Sequence, residues 1–150
     1  MEKIDRKYYS WDDVQKCAHK LALEMYKNNF RPNYIVGLNR GGLPLSVILS
    51  HLLDCNHYTL DVRLRDKMRK QILVVDDIND TGATFDWIKQ DWESGCLPDS
   101  IGWEDVWHEN VRFATMCEKT HTNFGNVDYV WEEIDTSEKD TWIVFPWEYD

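Results

Sequence analysis

The chain has 150 residues, 27 acidic and 17 basic, for a formal net charge of -10. That length suits one domain with a core of ordinary size. The charge speaks against an extended grip on nucleic acid, which needs clustered lysine and arginine, but a local site can hold a small anion against the overall field.

In chain order, Ser10 with Asp13 has the form of a capping box. Val14, Cys17, Ala18, Leu21 and Met25 follow at helical spacing, so a helix is predicted from 11 to about 28. Arg31, Pro32 and Asn33 break it. A short apolar strand is predicted at 34–38, a glycine turn at 39–42 and a buried helix at 43–53. Weak alternation suits a strand at 58–64. Residues 72–75 read as a strand buried on both faces, and 83 to about 92 as a helix with Phe85, Ile88 and Trp92 on its apolar side. Turn residues and acids flanked by tryptophan give 95–110 no clear assignment. Strands are predicted at 111–117 and 127–134, with a short apolar piece at 142–145. Strands that alternate with helices, several of them continuously apolar, predict an α/β fold with a mostly parallel sheet. Such sheets bind ligands at the carboxyl ends of their strands, where 39–42 and 76–84 would both lie.

Cys17, Cys55, Cys96 and Cys117 are far apart and form no C-x-x-C pair, so they read as free thiols of a reducing compartment. The five histidines show no metal-ligand spacing. No apolar run has the form of a secretion signal or the length of a membrane span. A cytoplasmic protein is expected, without membrane or nucleic-acid partners.

The most informative stretch is "ILVVDDINDTGAT", residues 72–84. A buried strand runs into the adjacent acids Asp76 and Asp77, and a third, Asp80, precedes Thr81, Gly82, Ala83 and Thr84. Backbone N–H groups at a helix start carry partial positive charge and, with two threonine hydroxyls, form a cradle for a phosphomonoester. The upstream carboxylates suit sugar hydroxyls or a hard cation such as Mg2+. A phosphorylated sugar satisfies both halves. The plainer alternative makes Asp80 only a helix cap and the acid pair only a strand exit. A signalling receiver domain also begins with such a strand, but its acids lie near the chain start and no T-G-x-T turn follows them.

At these residues the chain resembles the type I phosphoribosyltransferases, whose phosphoribosyl pyrophosphate (PRPP) motif joins an apolar strand, two acids and a T-G-x-T turn. "YIVGLNRGGLPLSVILSHLL" is similar to the strand, pyrophosphate loop and helix of that family. "DTWIVFPWEYD" is similar to the C-terminal base-binding hood of bacterial xanthine-guanine phosphoribosyltransferase, and "FATMCEK" to a later strand and its lysine. The likeness covers roughly 10–90 and 111–150, and implies one domain whose hood is formed by about 135–150.

The resemblance implies transfer of the phosphoribosyl group from PRPP to a nucleobase, with Mg2+ and release of pyrophosphate. Thr81, Gly82, Ala83 and Thr84 match the 5′-phosphate cradle. Asp76 and Asp77 match the acids that hold the ribose hydroxyls directly or through metal. Asp80 matches the carboxylate beside purine N7, the general acid/base. Arg40, Gly41 and Gly42 match the pyrophosphate loop, which in the family carries a cis peptide that would fall at Asn39–Arg40. Lys119 matches a donor to the 6-oxo group of guanine, xanthine or hypoxanthine. Trp142 matches an aromatic that stacks on the purine, and Ile143 a source of backbone contacts to its edge. Glu148 falls near a family aspartate that reaches magnesium. Taken alone, Arg40 also reads as a surface arginine, Lys119 as a solvated strand-end lysine and Trp142 as core packing.

Two departures stand out. The family has a long lid between its second and third strands, where this chain has only 65–71, and Arg63, Arg65, Lys67, Arg69 and Lys70 crowd that link. These cations could partly replace the lid over the pyrophosphate, or merely aid solubility. The second departure is the acidic, tryptophan-rich 95–110. The short link keeps open a noncatalytic PRPP- or nucleotide-binding regulator of the same fold, and a transferase for another base is the third reading. A homo-oligomer stays open.

Overall fold

A computed structural model describes residues 5–59, 71–94, 110–125 and 127–149. In chain order its elements are β1 (Asp5–Tyr8), α1 (Trp11–Lys27), β2 (Tyr34–Gly37), α2 (Leu43–Leu52), β3 (Asn56–Thr59), β4 (Ile72–Asn79), α3 (Ala83–Ser94), β5 (Val111–Lys119), β6 (Tyr129–Ile134) and β7 (Thr141–Val144). Five strands form a sheet in the order β3-β2-β4-β5-β6, every pairing parallel. The predicted α/β class and parallel sheet are therefore present. Residues 60–70, with Arg63, Arg65, Lys67, Arg69 and Lys70, lie outside the described residues, as do 95–109.

The continuous apolar run of β4 has a simple cause. Successive side chains point to opposite faces of a strand. Leu73 and Val75 join the core built on α1 and α2, with Val14, Leu21, Met25, Leu45 and Leu49. Ile72 and Val74 join a second core under α3, with Phe85, Ile88 and Phe113. Helices cover both faces, so β4 has no solvated side to mark with polar residues.

Helix α1 starts where expected. Ser10 and Asp13 form the reciprocal capping box, each side chain accepting from the other's backbone N–H. Strand β3 begins earlier than predicted, at Asn56, because its pairing with β2 starts at Tyr34↔Asn56. The larger correction concerns β4. It runs on through both acids to Asn79, so Asp76 and Asp77 lie inside the strand rather than at its exit. Pairing of Asp76 with Thr115 and of Ile78 with Cys117 on β5 extends the strand past its apolar part.

The short apolar piece near the C-terminus is β7. It pairs in parallel with β1, a strand the sequence pattern did not reveal. Tyr9 N–H donates to Val144 O at 2.9 Å just beyond that pair. Ile143 and Phe145 turn inward to the α1–α2 core, and the Phe145 and Trp147 rings stack at 5.0 Å. The segment that bears Trp142 is therefore anchored at a fixed place. Among the described residues no helix is long and apolar enough to cross a membrane.

Candidate active site

Residues 76–84 occupy the carboxyl end of β4 and the start of α3, as the sequence suggested. Gly82 stands at φ +90°, a conformation L side chains rarely adopt, and a Cβ there would lie 2.6 Å from Phe124 N. Replacing Gly82 by alanine should destabilise the protein by at least about 1–2 kcal/mol, the cost of that backbone region for an L residue, and the clash adds to it. Thermal denaturation checks this; an unchanged melting temperature would refute the close packing.

Asn79 was not singled out in the sequence, yet it ties this turn to the loop after β5. It is 2% exposed. Its side-chain amide donates to Glu118 Oε1 at 2.6 Å and to Phe124 O at 2.8 Å, and its oxygen accepts from Thr122 Oγ1. Asn123 N–H adds a bond to Thr81 O at 2.9 Å. A cavity of about 150 Å³ opens against the turn, lined by Asp76, Ile78, Asn79, Asp80, Thr81, Gly82, Ala83, Thr84 and Phe85. All the residues expected in the phosphate cradle border it.

A second cavity of about 150 Å³ adjoins it and is lined by Asp77, Ile78, Asp80, Lys119, Trp142, Ile143, Phe145 and Glu148. Strand alternation separates the acid pair, Asp76 onto the first cavity and Asp77 onto the second, while Ile78 and Asp80 border both. Lys119 at the end of β5 and the adjacent Trp142 and Ile143 of β7 come from two separate stretches of sequence and meet here. Trp142 is 59% exposed, so it is not core packing. Lys119 is 3% exposed, so it is not a solvated strand-end lysine.

The charges in this cavity are tightly arranged. Lys119 Nζ lies 3.3 Å from Asp80 Oδ2 and 2.7 Å from Asp140 Oδ1. Burial pulls the ammonium down, but its bonds to Asp140 and Asp80 outweigh burial and leave it raised. Asp140 is in turn held below the ordinary carboxylate range by Lys119. His121 Nε2 meets Asp80 Oδ1 at 2.7 Å. The Asp80 side chain is thus committed to Lys119 and His121 and does not act as a mere cap of α3. Sequence reading passed over His121 and Asp140. The only hint was that each stands within a few residues of a singled-out residue, Lys119 or Trp142.

The glycine turn closes on the acid pair. The Asn39–Arg40 bond is cis, as the resemblance implies. A Cβ on Gly41 would collide with the Asp77 carboxylate, and one on Gly42 would lie 2.5 Å from Val75 O. Gly41 and Gly42 therefore let the backbone approach β4 where its acids begin. The Arg40 side chain is exposed and borders neither cavity.

Burial pushes Asp76 above its ordinary value, and burial together with the charges of Asp76 and Glu148 pushes Asp77 up to about 8. A divalent ion such as Mg2+ would offset the burial of these carboxylates, and their hard oxygen atoms suit it. Glu148 accepts from Phe145 N–H at 2.9 Å and lines the cavity with Asp77. Asp80, His121 and Asp140 also lie close enough to one another to suggest a metal group. There, however, the Lys119 ammonium already sits between the two carboxylates and supplies the positive charge.

A parallel sheet with the 81–84 turn, the acid pair and the glycine loop at the strand ends defines a protein of the type I phosphoribosyltransferase fold. Among solved structures, a purine phosphoribosyltransferase from Pyrococcus horikoshii Ot3 is 28% identical, with 98% of this chain and 96% of that chain covered and a TM-score of 0.72. The Helicobacter pylori xanthine-guanine-hypoxanthine phosphoribosyltransferase is 20% identical over 97% of this chain and 93% of that one, with a TM-score of 0.75. A hypothetical protein from Neisseria gonorrhoeae with bound ppGpp has a TM-score of 0.72 at 17% identity over 99% of this chain and 92% of that one, a likeness of fold. No family model and no curated protein matches the chain.

Proposed function

We propose that the protein transfers the 5-phosphoribosyl group of PRPP to a purine bearing a 6-oxo group, releasing pyrophosphate. One observation carries the reading: the Thr81–Thr84 turn, the acid pair, Lys119 and Trp142 border two adjoining cavities that share Ile78 and Asp80. A sugar phosphate in the first cavity would present its anomeric carbon beside a base in the second.

In this reading Thr81–Thr84 and the start of α3 hold the 5′-phosphate. Asp76 holds the ribose hydroxyls. Gly41 and Gly42 offer backbone N–H groups to the pyrophosphate, with Arg40 beside them. Trp142 stacks on the purine, Ile143 meets its edge through the backbone, and Lys119 donates to the 6-oxo oxygen. Adenine carries an amine there, so a buried ammonium donor favours the oxo bases. The bond between the ring nitrogen N9 and the anomeric carbon forms as the bond from that carbon to pyrophosphate oxygen breaks. Asp80, placed between the cavities, takes the proton that leaves purine N7. Asp77 and Glu148, with Asp76 nearby, would hold Mg2+, which when bound offsets the charge of the departing pyrophosphate. The chain works as one domain, with 135–150 as the hood over the base.

The test is an assay with PRPP, Mg2+ and a panel of guanine, xanthine, hypoxanthine, adenine and uracil, read as nucleotide product. Product with the oxopurines alone supports the proposal. Product with adenine or uracil in preference would keep the fold and overturn the base. PRPP binding with no product for any base would favour the noncatalytic regulator.

Trp142→Ala should weaken base binding by about 1–3 kcal/mol, the usual contribution of an aromatic that stacks on a base. PRPP affinity should stay the same, since Trp142 borders only the second cavity. Calorimetry with each ligand checks this, and equal losses for both would contradict it.

A further inference from the structure

Lys119 and Asp80 pose a problem for any chemistry that uses both. An ammonium and a carboxylate this close should close into an ordinary ion pair, in which charge-assisted hydrogen bonds run about 2.7–2.9 Å. Such a pair would turn the lysine away from a 6-oxo group and occupy the carboxylate lone pairs that must face N7. Here the separation is 3.3 Å, and each partner has a shorter bond elsewhere. Lys119 is 2.7 Å from Asp140, and Asp80 is 2.7 Å from His121. The link between the two functional groups is the long one in a row whose outer links are short.

The outer members are themselves fixed. Asp140 Oδ1 also accepts from Thr141 N–H at 2.8 Å, at the start of the strand that bears Trp142. Behind His121, Nδ1 meets Thr136 Oγ1 at 2.8 Å. Thr136 Oγ1 lies 3.2 Å from Thr120 Oγ1, and Thr136 N–H donates to Thr120 Oγ1 at 2.9 Å. A carboxylate only accepts, so His121 Nε2–H donates to Asp80, while Nδ1 is held by the Thr136 hydroxyl and that hydroxyl by Thr120.

We infer that His121 and Asp140 are positioning residues that keep the Lys119–Asp80 contact long, so that the carboxylate and the ammonium each keep a face for the purine instead of closing fully onto each other. His121 draws Asp80 toward the loop after β5, and Asp140 draws Lys119 toward the hood. The inference rests on the transferase reading for its kinetic consequence, but not for its structural one. Without His121, Asp80 should close onto Lys119. Without the Asp140 charge, Lys119 should close onto Asp80 from the other side.

The experiment compares the wild-type protein with His121→Ala, His121→Gln and Asp140→Asn, by crystallography, thermal denaturation and kinetics with guanine and PRPP. In the alanine variant the Lys119–Asp80 distance should contract to about 2.8 Å. Its kcat should fall about tenfold, with the guanine KM nearly unchanged, because Asp80 acts in the transition state. His121 is a partly exposed side chain, so the melting temperature should hold. Glutamine can offer an amide donor in place of Nε2–H and should restore most of kcat. Asp140→Asn should show the opposite split, a guanine KM raised about tenfold with a smaller change in kcat. A purely structural role would move stability and leave both the split and the glutamine rescue absent. An unchanged Lys119–Asp80 distance in the alanine variant overturns the inference whatever the kinetics show. If the wild-type protein turns over no base, the transferase reading fails by itself, and the crystallographic distance still decides this one.

Discussion

Asp77→Asn should make the protein more stable at pH 8 while abolishing the proposed phosphoribosyl transfer. The folded state holds the Asp77 proton up to about pH 8, because burial and then the Asp76 charge disfavour the ionised form. An unfolded aspartate releases it near pH 4. Between those values the folded state binds more protons at this site, so the Asp77 contribution to stability is full below about pH 4 and is lost as pH rises toward 8. Asparagine cannot ionise, so the variant escapes that loss. Its advantage should reach about 2–4 kcal/mol at pH 8 and vanish near pH 4. Magnesium chloride should raise the melting temperature of the wild type at pH 8, since a bound cation stabilises the native state, and should do much less for the variant. Urea titrations at several pH values check the first part, and melting curves with and without the salt check the second. A wild-type stability that stays flat from pH 4 to 8 would falsify the account of the acid pair.

Lys119→Met should carry the largest functional effect. Methionine keeps an unbranched apolar stem of similar reach but no charge. Asp80 and Asp140 would then face one another with no cation between them, since Lys119 Nζ is the group both now meet. A hydrogen bond to a charged group contributes about 1.5–3 kcal/mol. Affinity for guanosine monophosphate should therefore fall about 10- to 150-fold, while affinity for pyrophosphate, which needs no base contact, should change little. Any preference for guanosine over adenosine monophosphate should largely disappear. Calorimetry with the three ligands reads this directly. A variant that keeps its guanosine preference would show that selectivity lies elsewhere in the hood.

Much of the fold was legible because local rules and global needs agree. Apolar spacing in α1 and the run Ile72–Val75 each have a single good solution, a helix that covers one face and a strand covered on both. The turn at 81–84 was legible for the same reason. Aspartate, threonine and glycine at that spacing meet the demands of a helix start with a left-handed glycine, and Gly82 is in that conformation. Strand β1 was not legible, because residues 5–8 alternate between exposed and half-buried positions and are defined by their partner β7, far along the chain. The true end of β4 was hidden too. Propensity argues against aspartate in a strand, and only pairing with β5 carries the ladder through Asp76 and on to Asn79.

By itself, then, the sequence determined the α/β class and the carboxylate, threonine and glycine turn at 76–84, because each depends on spacing within a short stretch. Only the tertiary structure decided which of those residues act together. Strand alternation sent Asp76 and Asp77 to different cavities. Burial, which depends on the whole packed chain, raised the acid pair and enclosed Lys119 while it left Trp142 in the open. The row Thr136–His121–Asp80–Lys119–Asp140 joins four separate stretches of chain at the carboxyl ends of three strands and the approach to a fourth. No spacing rule reaches across such distances, because contact there is set by the parallel order of the sheet and not by position along the sequence.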